Sequence, residues 1–148
     1  MSIFDDVLTD GQFQEQAFGP HEAYAGVLLA SSACDGHIAD EEVQSLVTIL
    51  GRMKLYQHVN PNRFGSMMDR LLGILKRKGP EQLVEQSVAV LPPELKETAF
   101  INACDIVLAD GVVEEDEKEF INNLMMKLGV GADRAKTIIK VMVFKNQG

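Results

Sequence analysis

Tryptophan is absent from this sequence, and cysteine and proline are scarce, with two and five residues among 148. Two cysteines cannot build the disulfide framework of a small secreted scaffold, so reduced thiols in a cytoplasmic chain are expected. Lysine and arginine are missing altogether from the first 51 residues. That gap, with a net charge of −8, argues against nucleic acid as a partner. No apolar run approaches the roughly 20 residues that a membrane-spanning helix needs, and the longest candidates are broken by Asp105 or by Gly and Ser. The start, Met1-Ser2-Ile3-Phe4-Asp5-Asp6, has no basic leader and no cleavage site, so no secretory signal is expected. Ser2 stands where N-myristoylation requires glycine. Clean period-two alternation is lacking too, which removes the strand signal and leaves an all-α class.

What is present is an ordinary globular core. The hydrophobic share is 46%, enough for one domain over residues 1–148 and too much for wholesale disorder. The charge is laid out in blocks. Residues 1–51 hold nine acids and no base, residues 52–78 seven bases and one acid, residues 79–119 eleven acids and two bases, and residues 120–148 five bases and one acid. This acid–base–acid–base order is what a duplicated unit leaves behind.

A shift of 75 residues aligns Asp35-Gly36-His37-Ile38 with Asp110-Gly111-Val112-Val113, and Glu42 with Glu117. Leu46, Ile49 and Leu50 then align with Ile121, Leu124 and Met125. The shared pattern is D-G-x-[IV]-x-x-x-E followed by apolar residues at helical spacing, each copy after an Ala-rich apolar stretch. Two helix–turn–helix halves follow, about 20–78 and 80–148, after an N-terminal extension over residues 1–18.

The punctuation predicts about seven helices. Pro20 suits a first helical position, giving a helix from about Pro20 to Cys34 that Asp35-Gly36 breaks. The next is expected from about Ala39 to Gly51, with Val43, Leu46, Val47 and Leu50 on one face. Asn60-Pro61 opens a third, with Met67, Leu71, Ile74 and Leu75 inward, ending before Gly79. A fourth runs from Gly79-Pro80 to about Leu91, and Pro92-Pro93 separates it from a fifth over about Glu94 to Ala109. The sixth is expected over Glu115 to Leu128. The seventh spans Ala132 to Lys145, with Ala135, Ile138, Ile139 and Met142 inward.

In each copy an Asp closes one helix, and a Glu seven residues later lies in the first turn of the next. Both carboxylates face the partly positive amino end of that second helix. If the halves pack about a pseudo-two-fold axis, Asp35, Glu42, Asp110 and Glu117 converge. Four converging carboxylates repel unless a cation or protons neutralise them. Such a hard oxygen set suits Ca²⁺, Mg²⁺ or Mn²⁺, and His37 would bias it toward Zn²⁺ or Mn²⁺. A purely structural reading stands beside this one. Asp-Gly is a common turn, and a Glu at the third helical position can bond back to the cap N–H as half a capping box. Asp105 is either an accessory ligand or part of a polar face with Thr98 and Asn102.

D-G-x-I-x-x-x-E is the second half of an EF-hand loop, but the first half is missing. The two earlier ligand positions fall on Ser31 and Ala33 in one copy and on Ile106 and Leu108 in the other, which excludes an ordinary EF-hand site. The paired motif, Cys34-Asp35-Gly36-His37-Ile38 with Glu42 and Ala109-Asp110-Gly111-Val112-Val113 with Glu117, resembles the tellurite-resistance TerB family. The resemblance extends from about Pro20 to the end of the chain. It implies a seven-helix, non-enzymatic stress-response domain, with a metal-related site at Asp35, Glu42, Asp110 and Glu117. It also implies protein partners, membrane-bound resistance proteins among them, and so a cytoplasmic place with attachment at the inner membrane left open. Cys34 departs from the family's preference for Ala before Asp-Gly.

Other residues carry weaker signals. No Ser–His–Asp or Cys–His arrangement and no Gly-rich phosphate loop can be argued, and a metal-dependent hydrolase would have no nucleophile or base beyond the same acids. His21 and His58 are expected at the surface, and the thiols of Cys34 and Cys104 as small buried groups. Arg63, Arg70 and Arg77 recur every seven residues as a basic stripe, either solvated or facing an anionic partner. Ile3, Phe4, Val7, Leu8 and Phe13 give the amino terminus a short amphipathic pattern. The alternative to the metal reading is therefore a metal-free helical adaptor that binds protein through the stripe or the apolar amino terminus.

Overall fold

The computed structural model describes residues 18–109 and 111–148. Among them are seven α-helices, one short 3-10 turn and no strand, so the chain is all-α as its pattern predicts. The helices are α1 (Pro20–Ser32), α2 (Asp40–Gly51), α3 (Pro61–Lys78), α4 (Pro80–Val88), α5 (Pro93–Leu108), α6 (Glu115–Leu128) and α7 (Ala132–Lys145). The 3-10 turn, Lys54–Tyr56, lies between α2 and α3 and has no counterpart among the sequence expectations.

The centre is α1. Its residues from Ala23 to Ser31 are all buried, because the sequence there is small or apolar on every side. It packs mainly on α4 and α5, and also on α3 and α2. α5 in turn packs on α6 and α7, and α4 on α3 and α6. The largest fully buried side chains include Tyr24, Leu28 and Leu29 of α1, Leu71 of α3, Leu83 of α4, Phe100 of α5 and Leu124 of α6. At Gly26 the close approach of α4 explains the glycine. An added Cβ would lie 2.2 Å from Ser87 Oγ, and that hydroxyl is buried without a hydrogen-bond partner.

The faces drawn by helical spacing hold. Met67, Leu71, Ile74 and Leu75 are buried on α3. On α2, Leu46 and Leu50 are buried while Val43 and Val47 are half-buried. On α7 only Ala135 is fully buried, and Ile138, Ile139 and Met142 pack partly exposed against the core. Boundaries differ by a few residues at two ends. α1 stops at Ser32, short of Cys34, where the Ser31 and Ser32 hydroxyls donate to the carbonyls of Val27 and Leu28 at 2.8 and 3.2 Å. α4 stops at Val88, short of Leu91.

His21 departs from its surface assignment. It is half-buried, its Nε2 lies 3.0 Å from the Leu55 carbonyl oxygen, and its own carbonyl accepts from the Tyr56 hydroxyl at 2.7 Å. Its ring also packs beside Tyr56, 5.5 Å between centroids. The 3-10 turn brings these groups together, which is why a reading blind to that turn left His21 in solvent. No helix among the described residues is long and apolar enough to cross a membrane.

Candidate functional site

Both Asp-Gly turns put their glycine at positive φ, 90° at Gly36 and 79° at Gly111, a conformation that side chains rarely adopt. In the first turn the Gly36 N–H donates to the Ala33 carbonyl at 2.9 Å, and the His37 N–H donates to Asp35 Oδ1 at 2.9 Å. Asp35 therefore folds back on its own turn. Glu42 is the third residue of α2 and exposed, in a first turn shared with Asp40 and Glu41. The His37 side chain is likewise exposed.

In the second turn the Gly111 N–H donates to the Leu108 carbonyl at 3.2 Å. Glu117 is the third residue of α6 and accepts the Glu114 N–H on Oε1 at 2.9 Å, half of a capping box. Asp110 lies outside the described residues. Asp105 faces elsewhere. Its two oxygens accept from Lys145 Nζ at 3.0 and 3.2 Å, and Oδ1 also accepts from Asn146 Nδ2 at 3.0 Å. The expected companions of Asp105 pair without it. Asn102 Nδ2 donates to the Thr98 carbonyl and to the Tyr24 hydroxyl.

The first turn faces the second half across a groove, and Asp35 is on its lining. A groove of about 430 Å³ opens between the turn at Cys34–Gly36, the start of α4 and one face of α6. Its rim carries the carboxylates of Asp35, Glu81, Glu85, Asp116 and Glu119, and its wall includes Val84, Phe120 and Leu124. Lys127 is the sole base on the lining and is paired with Glu85. Among the described residues no group of three or more His, Cys, Asp or Glu side chains is gathered tightly enough to hold an ion. Asp35, Glu42 and Glu117 thus do not form a ready cage by themselves.

Electrostatics report the same meeting. The Cys34 thiol, half-buried on the groove wall, is pushed up to about 12, first by burial and then by the negative charges of Glu117, Asp35 and Asp116. It is a neutral thiol at physiological pH. Cys104 is pushed up to about 12 as well, by burial and by Asp105. Repeat matching did not single out Glu81, Glu85 or Glu119 as site residues. A signal for them exists in helical spacing. Asp116, Glu119, Phe120, Asn123 and Lys127 share one face of α6, and Glu81 and Glu85 share one face of α4.

A second groove, of about 570 Å³ and mostly apolar, lies between α2 and α3. Val43, Val47, Tyr56, Phe64, Met68 and Leu72 line it. The described residues form an all-helical fold that carries an acidic groove and an apolar groove. No family model, no curated protein and no solved structure matches the chain.

Proposed function

We propose that this chain is a non-enzymatic helical domain of the tellurite-resistance TerB type that takes a divalent cation at its acidic groove and acts through protein partners. The observation that carries the reading is that Asp35 of the first turn lines one groove together with Asp116 and Glu119 of α6. Carboxylate oxygens are hard donors, which favours Ca²⁺, Mg²⁺ or Mn²⁺ over softer ions. Asp35, Asp116 and Glu119 would hold the cation, with Glu117 adding negative potential near it. The cation would lower the mutual repulsion of the rim and so draw the first turn against α6. That ties the shape of the groove to the ion and gives a partner a surface that the ion controls. Membrane-bound resistance proteins are the partners that the family resemblance suggests.

The test is thermal unfolding after EDTA treatment, repeated with Ca²⁺, Mg²⁺, Mn²⁺ and Zn²⁺. An ion at about a hundred times its Kd adds ~2.7 kcal/mol. Raised melting with one ion, abolished in Asp35→Asn with Asp116→Asn, supports the reading. Unchanged melting with all four ions sinks it.

A second reading has its own observation. The bonds from the His37 N–H to Asp35 and from the Glu114 N–H to Glu117 give two of these acids structural work that needs no ion. The domain is then a metal-free adaptor. It would melt identically with and without EDTA and would keep its partners in the Asp35→Asn, Asp116→Asn variant.

A further inference from the structure

The face of α3 that carries Arg63, Arg70 and Arg77 has no ion pair from Arg63 or Arg77 to any described carboxylate. Arg63 and Arg77 are exposed and Arg70 is half-buried. At seven-residue spacing they lie on one side of the helix, two turns or about 10.5 Å apart. The described chain begins at Phe18, whose ring sits under the Arg70 guanidinium, 5.6 Å from centroid to Cζ. The junction with the preceding residues therefore lies beside the middle of the stripe. Those residues, 1–17, hold Asp5, Asp6, Asp10 and Glu15 and neither Lys nor Arg. Opposite charge thus adjoins the stripe in the same chain, and 17 residues are long enough to run its whole length, about 21 Å from Arg63 to Arg77.

We propose that residues 1–17 dock in cis along the arginine face of α3, their acids paired with Arg63, Arg70 and Arg77. Tethering makes the pairing intramolecular, so pairs that are individually weak at a surface act together. The segment is then a built-in competitor for the stripe. A partner presenting clustered carboxylates to α3 must first displace it. This inference stands apart from the cation reading, because it involves no residue of the acidic groove.

The experiment is limited proteolysis of the full chain with chymotrypsin, following cleavage after Phe4, Leu8 and Phe13. Two variants are compared with the parent, Arg63→Gln/Arg70→Gln/Arg77→Gln and Asp5→Asn/Asp6→Asn/Asp10→Asn/Glu15→Gln. The second alters no residue of the helical bundle and so tests the docking without disturbing the fold. Each variant is expected to speed cleavage about threefold or more, because cleavage tracks the undocked fraction. Combining the two sets adds nothing further, and about 0.5 M salt speeds cleavage of the parent only.

An unchanged rate in both variants overturns the proposal, and so does acceleration by only one of them, since pairing needs both sides. Acceleration by Val47→Asp with Leu72→Asp but not by the arginine variant places the segment in the apolar groove instead. Protection that rises with protein concentration places it on a second copy. Either outcome overturns docking in cis on the stripe.

Discussion

The two Asp-Gly turns share a sequence pattern and a glycine conformation, yet the Glu that follows each turn does different work. In the first, the turn residue Asp35 accepts a backbone N–H, and the Glu42 carboxylate accepts no hydrogen bond from a described residue. In the second, the helix residue Glu117 accepts the cap N–H. The surroundings differ more. The helix before the first turn, α1, is enclosed on all sides by its neighbours. The helix before the second, α5, keeps a partly exposed face joined to α7 by Arg134–Glu97 and Lys145–Asp105. A repeated motif therefore fixes local backbone shape without fixing what its Glu bonds to.

The largest test of that contrast is at Gly26, whose repeat partner is Ile101. Gly26→Ala drives a methyl group into Ser87 Oγ and is expected to cost about 2 kcal/mol by chemical denaturation. Ser87→Ala removes an unpartnered hydroxyl and should be neutral or stabilising. The double variant should recover most of the loss, so strict additivity would show that the clash is not the cause. Ile101→Ala, on a half-buried face, is expected to cost about 1 kcal/mol.

Alkaline pH separates the halves next. Tyr24, Cys34 and Cys104 are each pushed up to about 12. In the unfolded chain they ionise at their ordinary values near 9 and 10, so above pH 9 the unfolded state binds fewer protons than the folded one. Stability is then complete below about pH 9 and falls as pH rises toward 12. Cys34→Ala places the second turn's residue in the first turn and should make that decline shallower. An equally steep decline in this variant would mean that the Cys34 thiol does not contribute.

Smaller effects sharpen the division of labour between the acids. Glu117→Gln should lose about 0.5 kcal/mol through its weakened cap bond, whereas Glu42→Gln should change stability by less than its error of measurement. Equal losses at the two positions would erase the distinction. Smallest of all, Glu117→Gln should modestly quicken alkylation of Cys34 near pH 9, because one of the charges that opposes the thiolate is gone. An unchanged rate would show that charge on α6 does not reach the first turn.

Much of the fold was legible because prolines and glycines punctuate it. Pro20, Pro61, Pro80 and Pro93 each open a helix, and Gly129 closes α6. Periodicity set the inward faces of α3 and α7, but it said less about α1, where apolar residues point every way and no stripe exists. The Lys54–Tyr56 turn escaped because three residues are too few to show a period, and His21 was misplaced with it. The site was legible only in part. The duplicated motif located the two turns, but partners from α4 depend on how helices pack, which spacing along one chain does not encode. Glu81 and Glu85 reach the groove because α4 packs across α1 and α6.

The reciprocal bonding of His21 with Leu55 and Tyr56 bears on all movement at the amino terminus. It pins the first turn of α1 to the loop ahead of α3, immediately inside the point where residues 1–17 join. A pull on those residues is borne by that rivet before it reaches Ala23. Load entering at the start of α1 therefore leaves the buried column from Ala23 to Ser31 in its packing.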